Sequence, residues 1–505
     1  MKIERTPRGD YIQGRFVKVL DPNGEIFSHN PGDLNQPKLS FPYCYQHVQE
    51  AVSAAKRAFV SWRRQKLADR LACLSKYQKV LTQRCEEVAQ LISFEVGKPL
   101  WESRQEILET SQMIEFFVRE AQNQVKHTLT AATGGMDTQQ SARVLPRGAF
   151  VVVSPAATPV LGPNLHVVPA LVFGNTIILK SPKFAPSIGQ ALAEIAHDAG
   201  FPAGVFNVIQ GNSEISHRLA SHSEIDGVFY TGSYETGLKI RKQLLGDHGK
   251  IQVFDTGGKN AMVAWEDCDY PKTLKAALLS AFLSTGQRCH SVGRILVHQK
   301  IFDKFVQDFH QLSKQCRVGY GLSEGADTPL LGPLVREGSQ ENYLRYQGIA
   351  VREGCEEIMR GKTLERDRKG YYVSPSIHRV QSPDPKSVYQ TGEIFGPNVA
   401  LFKVSDLDET AEIINQTKYG LAAAVYTGNR ENFVRLADEV RVGLFHWNRM
   451  TVEPTYSLPT GGLKQSGNNR WMGSFSIHQC TYLMSSLERA ETETALLTQA
   501  PLPKL

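Results

Sequence analysis

Cys289 lies at the centre of the octapeptide Ser284 to Ser291, S-T-G-Q-R-C-H-S, in which Gly286 permits a tight backbone turn, Arg288 is a cation one residue away, and Gln287 and His290 add polar groups. The thiolate is the nucleophilic form of cysteine, and a neighbouring cation favours it over the thiol, so this stretch is equipped for covalent attack on an electrophile. Against that stands the ordinary role of cysteine as a small buried hydrophobe, which a single residue does not displace. The preceding residues Thr273 to Leu283, T-L-K-A-A-L-L-S-A-F-L, put Leu274, Ala277, Leu278 and Ala281 on one stripe at helical spacing. The cysteine is therefore expected on a loop directly after a buried helix.

Other residues with chemical potential end apolar runs. N-T-I-I-L-K-S-P closes on Lys180, D-G-V-F-Y-T-G-S on Thr231, Gly232 and Ser233, and K-I-Q-V-F-D-T-G-G on Asp255 and two glycines. Residues Ser233 to Gly237 would open the next helix, whose free N–H groups suit a phosphate. The spacing T-G-S-x-x-x-G departs from G-x-G-x-x-G, and each glycine alone reads equally well as a turn former. Farther on, G-E-I-F-G-P places Glu393 and Phe395 in a polar-aromatic loop, which also reads as an ordinary turn with a packed ring.

The elements that must position these groups follow from periodicity. Residues 1 to 43 alternate short apolar runs with Pro and Gly, which suits a hairpin closed by Pro22, Asn23 and Gly24. From His47, Val48, Val52, Ala55, Phe59 and Trp62 recur at helical steps, and Leu67 to Phe94 and Glu102 to Lys126 extend the helical pattern around a breaker at Gly97, Lys98 and Pro99. From Gly148 onward short apolar strands alternate with helices, including Ser187 to Ala199 and Lys300 to Leu312, and residues 474 to 487 read as a closing strand. This is the pattern of an α/β protein with a doubly wound parallel sheet, in which ligands bind beyond the carboxyl ends of the strands. Lys180, Ser233 and Asp255 all fall there.

Composition narrows the function classes. With 505 residues and 41% hydrophobic content the chain can build two to four domains. Its net charge of +6 has no long basic run behind it, so nucleic acid is not the expected partner. The eight cysteines are scattered without a C-x-x-C pair, which predicts reduced thiols in a cytoplasmic compartment and no structural metal. No apolar leader opens the chain and no run of eighteen apolar residues occurs, so neither export nor membrane spanning is expected.

Taken in order, E-V-G-K-P, G-N-T-I-I-L-K, F-Y-T-G-S-Y-E-T-G, D-T-G-G-K-N, G-Q-R-C, E-I-F-G-P and F-H-W-N resemble the aldehyde dehydrogenase superfamily over roughly residues 11 to 488. H-V-V-P-A-L, S-G-N-N-R and M-S-S-L-E are most similar to its succinylglutamate semialdehyde dehydrogenase branch. The resemblance implies a Rossmann-like cofactor domain over 1–124 and 148–255, an α/β catalytic domain over 256–445, and a small β extension, 125–147 with 468–490, that builds a homodimer or homotetramer. It implies oxidation of an aldehyde to its carboxylate by NAD or NADP through a thiohemiacetal and thioester on Cys289, with Asp255 as the base that activates water. Lys180 would hold the adenosine ribose, Gly232, Ser233 and Gly237 the pyrophosphate, and Glu393 with Phe395 the nicotinamide ribose. Arg470 is a candidate partner for a distal substrate carboxylate, since a guanidinium binds one bidentately.

Three functional positions depart from the family's pattern. Ala157 stands where the family has an asparagine that stabilises the oxyanion, and loss of one such donor costs roughly 10² to 10³ in turnover; the Cys289 backbone N–H remains, and Thr158 is adjacent. Asp255 replaces a glutamate and shortens its reach by about 1.5 Å. Lys183 replaces a glutamate that binds the ribose 2′-hydroxyl in NAD-using relatives, which favours a 2′-phosphate and hence NADP. A catalytically impaired member kept for binding or assembly, and a cofactor-independent thiol esterase or acyltransferase using Cys289 and Asp255, therefore stay beside the dehydrogenase as readings.

Overall fold

The computed structural model describes residues 6–125, 130–131, 138–453 and 455–489. The chain opens with strands β1 (Asp10–Ile12) and β2 (Arg15–Val17), then β3 (Gly24–Ser28) and β4 (Leu39–Tyr43). The first hairpin is not closed at Pro22, Asn23 and Gly24 as the sequence predicts. It closes at Gln13 and Gly14, whose φ angles of +54° and +78° give the left-handed pair that matches strand twist, with Ile12 opposite Arg15. Pro22 to Gly24 instead lead into β3, where the Asn23 side chain accepts from the Tyr45 N–H at 2.7 Å.

Four helices follow, α1 (Gln46–Trp62), α2 (Leu67–Gln83), α3 (Cys85–Val96) and α4 (Leu100–Val125). The helical stretch expected over Leu67 to Phe94 breaks at Arg84, whose guanidinium binds Glu87 and Glu194. Gly97 ends α3 in the left-handed conformation at φ +82°, and a Cβ there would meet Pro333 Cγ at 2.6 Å. The breaker is thus also a close approach to the second half of the molecule. Lys126, at the end of the predicted helix, lies outside the described residues.

Strands β5 (Thr130–Ala131) and β6 (Thr138–Pro146) precede the first α/β unit: β7 (Ala149–Val153), α5 (Leu161–Val172), β8 (Thr176–Lys180), α6 (Pro186–Asp198), β9 (Phe206–Ile209), α7 (Ser213–Ser221), β10 (Gly227–Gly232), α8 (Tyr234–Gln243) and β11 (Ile251–Thr256). They form the sheet β11-β10-β7-β8-β9-β1-β2, parallel from β11 to β9. Strands β7, β8 and β9 are buried along their whole length, as helices on both faces require. Phe150, Val152, Ile177 and Leu179 enter one core, and Val151, Val153 and Ile178 the other, following the two-residue period of a strand. Strand order reverses between β7 and β10, so a crevice opens at the carboxyl ends there.

The second unit runs β12 (Asn260–Ala264), α9 (Tyr270–Phe282), β13 (Val292–His298), α10 (Phe302–Lys314), α11 (Glu337–Arg352), β14 (Glu356–Met359), β15 (Ser376–Val380), α12 (Val388–Thr391), β16 (Asn398–Val404), α13 (Leu407–Asn415), β17 (Tyr419–Gly420), β18 (Ala422–Tyr426), α14 (Arg430–Glu439) and β19 (Leu444–Trp447). Its sheet is β14-β15-β16-β13-β12-β18-β19, with β14 alone antiparallel. The mixed α/β architecture with two largely parallel sheets bears out the predicted fold class. After β20 (Leu463–Lys464) comes α15 (Ser476–Cys480), and only then β21 (Thr481–Arg489); the strand predicted from Ser474 therefore starts as helix. Strand β21 pairs antiparallel with β6 along its length, so the two segments expected to build an oligomer lie together; residues 126–129, 132–137 and 490 of those segments lie outside the described residues.

Buried carboxylates tie the helical layer to the first sheet. Glu95 of α3 accepts from the N–H groups of Ser187 and Ile188 at 2.9 and 3.1 Å, and Glu106 of α4 from those of Val160 and Leu161 at 2.9 and 3.0 Å. Each satisfies donors that the first turn of a helix leaves free. Lys98 Nζ stands 2.6 Å from Glu106, with both side chains buried. Removing one partner of such a pair leaves an uncompensated buried charge, which costs about 3–5 kcal/mol. Lys98→Ala is accordingly expected to lose that much unfolding free energy in urea at neutral pH, and a loss below about 1 kcal/mol would show that Glu106 is served by other groups.

Candidate active site

Between the two sheets lies a cavity of about 1330 Å³. Lys180, Lys183, Gly232, Ser233 and Asp255 reach it from the first unit, and Cys289, Glu393 and Phe395 from the second. Ala157 and Thr158 line it as well. Two expected residues are not in its walls. Gly237 lies within α8, where a Cβ would meet Tyr230 Cε1 at 3.0 Å and Thr256 Cγ2 at 3.1 Å, so its smallness serves the packing of α8 on β10 and β11. Arg470 points away: its Nη1 donates to the Gly462 carbonyl at 3.1 Å, and it is Trp471 and Met472 that face the cavity.

The loop that carries Cys289 is built on strain that neighbours over-determine. After α9, Ser284, Thr285 and Gly286 take φ angles of +54°, +56° and +68°. Left-handed conformations are uncommon for residues with a Cβ and cost of order 1 kcal/mol or more each. Glu102 holds the turn, accepting from the Ser284 N–H at 3.1 Å, from the Ser284 hydroxyl, and from Arg288 Nη2 at 2.8 Å. Gln287 Nε2 donates to the Ser284 carbonyl at 3.1 Å, and Thr285 Oγ1 to that of Gly332 at 3.0 Å. At Gly286 a Cβ would lie 2.2 Å from the Gly396 carbonyl, so a glycine is required for the G-E-I-F-G-P loop to close on this turn. Beyond it, Asn260 Nδ2 donates to the carbonyls of Cys289 at 2.7 Å and Ser291 at 2.9 Å.

Arg288 serves the thiol less than the sequence predicts, because its guanidinium is engaged with Glu102 and Ser284. Burial pushes the Cys289 thiol well up, the charges of Asp255 and Glu393 push it further, and Arg288 offsets only part of this. At neutral pH the group rests as a thiol. Its Sγ stands 3.1 Å from Nδ1 of His290, a contact that the sequence does not signal, since side chains of adjacent residues usually diverge.

Burial also sets the other ionisable groups. Asp255, at the end of β11, is raised to about 7 by desolvation, and its Oδ1 has no hydrogen-bond partner among the described residues. Glu393 is raised to about 7 by desolvation, partly opposed by the Gly258 N–H that it accepts at 2.9 Å. A Cβ on Gly257 would lie 1.8 Å from Glu393 Oε1, so the two glycines after Asp255 admit that carboxylate. Two carboxylates that titrate near neutrality in one cavity suit proton transfer. Lys180 is lowered to about 7 by burial, with Lys183 adding to the shift, and its amine has no partner among the described residues.

An amine left without a partner and the N-terminus of α8 face the same end of the cavity. Ser233 caps that helix, and a Cβ on Gly232 would meet Tyr230 Oη at 2.4 Å, so glycine keeps the cradle open. These donors fit the ribose and phosphates of a dinucleotide. The opposite end, beyond Cys289, is lined by Glu109, Leu161, Leu165, Tyr456 and Trp471. Glu109 is raised by burial and accepts from Gln105 Nε2 at 3.1 Å. The Thr158 hydroxyl lies against the first turn of α5, where a Cβ on Gly162 would meet it at 2.9 Å.

Residues 25–485 match the model of the aldehyde dehydrogenase family. An N-succinylglutamate 5-semialdehyde dehydrogenase of Novosphingobium aromaticivorans is 32% identical over 472 residues, spanning 92% of this chain and 96% of its own. Among solved structures, an NADP-dependent enzyme of E. coli is similar with a TM-score of 0.89 at 27% identity, covering 96% of this chain and 98% of that one. A 1-pyrroline-5-carboxylate dehydrogenase from Thermus with bound NAD gives 0.87 at 27% identity, over 95% and 93% of the two chains. No helix among the described residues is long and apolar enough to cross a membrane.

The elevated pKa of Asp255 has a stability consequence of defined sign. Between its ordinary value of 3.8 and about 7 the native state keeps a proton that the unfolded chain releases, so stability falls as pH rises through that window. Asp255→Asn removes the penalty. The variant is expected to match wild type near pH 4 and to exceed it by on the order of 4 kcal/mol at pH 8 in urea unfolding. A difference that does not change with pH would show that Asp255 is solvated.

Proposed function

The chain belongs to the aldehyde dehydrogenase family, and from that premise we propose that it oxidises an acidic semialdehyde, of the kind named for its N-succinylglutamate 5-semialdehyde relative, to the carboxylate with NAD or NADP. The observation that carries this reading is that Cys289 and Asp255 meet the unpartnered Lys180 amine and the α8 N-terminus in one cavity. We read residues 1–124 with 148–255 as the cofactor-binding unit and 256–445 as the catalytic unit. Residues 1–5 lie outside the described ones.

Chemistry starts at sulfur. As the Cys289 thiol gives up its proton, the electron pair of Sγ adds to the aldehyde carbon and the carbonyl π pair moves to oxygen, giving the oxyanion of a thiohemiacetal. A bound nicotinamide ring supplies a hydride acceptor. Lys180, Gly232, Ser233 and the start of α8 would hold the nucleotide's ribose and pyrophosphate, and Glu393 with Phe395 its nicotinamide end. With the hydride passed to such a ring, a thioester would be left on Cys289, and Asp255 would take a proton from the water that attacks it and releases the sulfur. Because Ala157 has no side-chain donor, the Cys289 backbone N–H carries oxyanion stabilisation on this side, which supports slow turnover relative to a protein with an amide there, by roughly 10² to 10³. The β6–β21 arm exposes Leu483 and Leu487, whose relative exposures of 58% and 72% support burial against a second subunit in a homodimer or homotetramer.

The test is nicotinamide absorbance with purified protein, a panel of semialdehydes and neutral aldehydes, and either cofactor. Wild type is expected to reduce cofactor and Cys289→Ala to lose more than about 10³ of the rate. If both are silent with every pair, the dehydrogenase reading falls; ester hydrolysis without cofactor would establish the thiol esterase instead. Lys183 is exposed at the nucleotide end, where its ammonium favours a 2′-phosphate. Lys183→Glu is expected to weaken NADP by about tenfold or more while changing NAD little, as judged from the two KM values, and equal effects would remove Lys183 from cofactor choice.

A further inference from the structure

We propose that His290 is a catalytic residue whose Nδ1 takes the proton of the Cys289 thiol, so that the nucleophile is generated by the residue beside it rather than by Asp255. The inference rests on the reading of Cys289 as the nucleophile. Its first support is distance: Sγ and Nδ1 stand 3.1 Å apart, and both side chains line the cavity. The second is that the backbone is pinned on each side of the contact. Asn260 Nδ2 donates to the carbonyls of Cys289 and Ser291, and Thr451 Oγ1 donates to that of His290 at 2.7 Å, which aims two successive side chains at each other.

The other groups near sulfur do not take this role. Arg288 is engaged with Glu102, while Asp255 and Glu393 act on the thiol through charge and make no hydrogen bond to it among the described residues. The groups facing the imidazole are Arg288 on its own loop and His446 of β19, whose Nδ1 is occupied by the Met450 carbonyl at 2.9 Å. Burial, with these two neighbours, lowers His290 to about 4, so the ring is neutral at working pH; the tautomer proposed is the one with its proton on Nε2, which leaves a free electron pair on Nδ1 facing the thiol. A raised thiol beside a lowered imidazole keeps the proton on sulfur until an electrophile arrives. As the electrophile engages, the S–H bond breaks, the proton passes to Nδ1, and the sulfur pair forms the S–C bond while the carbonyl π pair moves to oxygen. The imidazolium then releases its proton to water in the cavity.

The experiment reads this step without cofactor or aldehyde. Alkylation of Cys289 by iodoacetamide at pH 7 is followed on its own peptide by mass spectrometry in wild type, His290→Ala, His290→Gln and Asp255→Asn, the His290 variants checked for an unchanged unfolding transition and Asp255→Asn for a single cooperative one. Both His290 variants are expected to label about 10²-fold more slowly, the size usual for a positioned base. Free imidazole is expected to restore His290→Ala but not His290→Gln, whose amide fills the space without accepting a proton, and Asp255→Asn is expected to label at least as fast as wild type. Labelling of either His290 variant at the wild-type rate, or slow labelling of His290→Ala that imidazole does not restore, overturns the proposal while leaving Cys289 as nucleophile. Labelling that bypasses Cys289 removes both.

Discussion

One carboxylate, Glu102, holds the turn on which the catalytic loop depends. It is fully buried on α4, yet the Ser284–Gly286 turn that it grips belongs to the second unit, so the same hydrogen bonds both impose a left-handed backbone and dock the two halves at the cleft. Burial alone would raise its pKa, but Arg288, Lys98 and the Ser284 hydroxyl together bring it below the ordinary carboxylate range. A charge so placed tolerates little movement, because every donor lost leaves part of it uncompensated in a low-dielectric interior. The position of Cys289 relative to the nucleotide end of the cavity is fixed by that intolerance.

The same physics shapes the remaining groups. Lys180 and Asp255 are buried and Glu393 half-buried, each with fewer partners than its charge requires, and each is driven to about 7. A protein selected only for stability would pair or expose them. Gathered at the ends of two sheets, they form a site that exchanges protons near neutral pH at a cost to the fold, and the satisfied carboxylates Glu95 and Glu106, which cap α6 and α5, help to offset that cost.

Much of this was legible in the sequence because it rests on local pattern. The run A-F-V-V-V reads as a strand covered on both faces, Ser233 reads as the start of a helix, and the stripe from Leu274 to Ala281 puts Cys289 after a buried helix; all of these are found. What was not legible depends on partners distant in the chain or on side-chain direction. Arg288 reads as a cation beside a thiol, and only the fold brings in Glu102, 186 residues earlier, to claim it. Arg470 lies one residue before Trp471, so a single step along the backbone separates the cavity wall from a side chain bound to a carbonyl of the protein. The first hairpin went unread because Gln13 is not among the residues that ordinarily signal a left-handed turn.

The shorter carboxylate at Asp255 fits the proposed role of His290. A base that serves both sulfur and water needs the reach of a glutamate, and Asp255 lacks about 1.5 Å of it. With a proton acceptor already 3.1 Å from sulfur, that reach is no longer needed for the first step, and the shorter carboxylate can remain where a hydrolytic water would stand. Its unpartnered Oδ1 is the acceptor such a water requires. In that proposal, proton transfer from the thiol and proton transfer from water fall to two different residues. Ala157 and Lys183 are departures that this division does not touch, since it supplies no side-chain amide for an oxyanion and Lys183 concerns the cofactor's 2′ position.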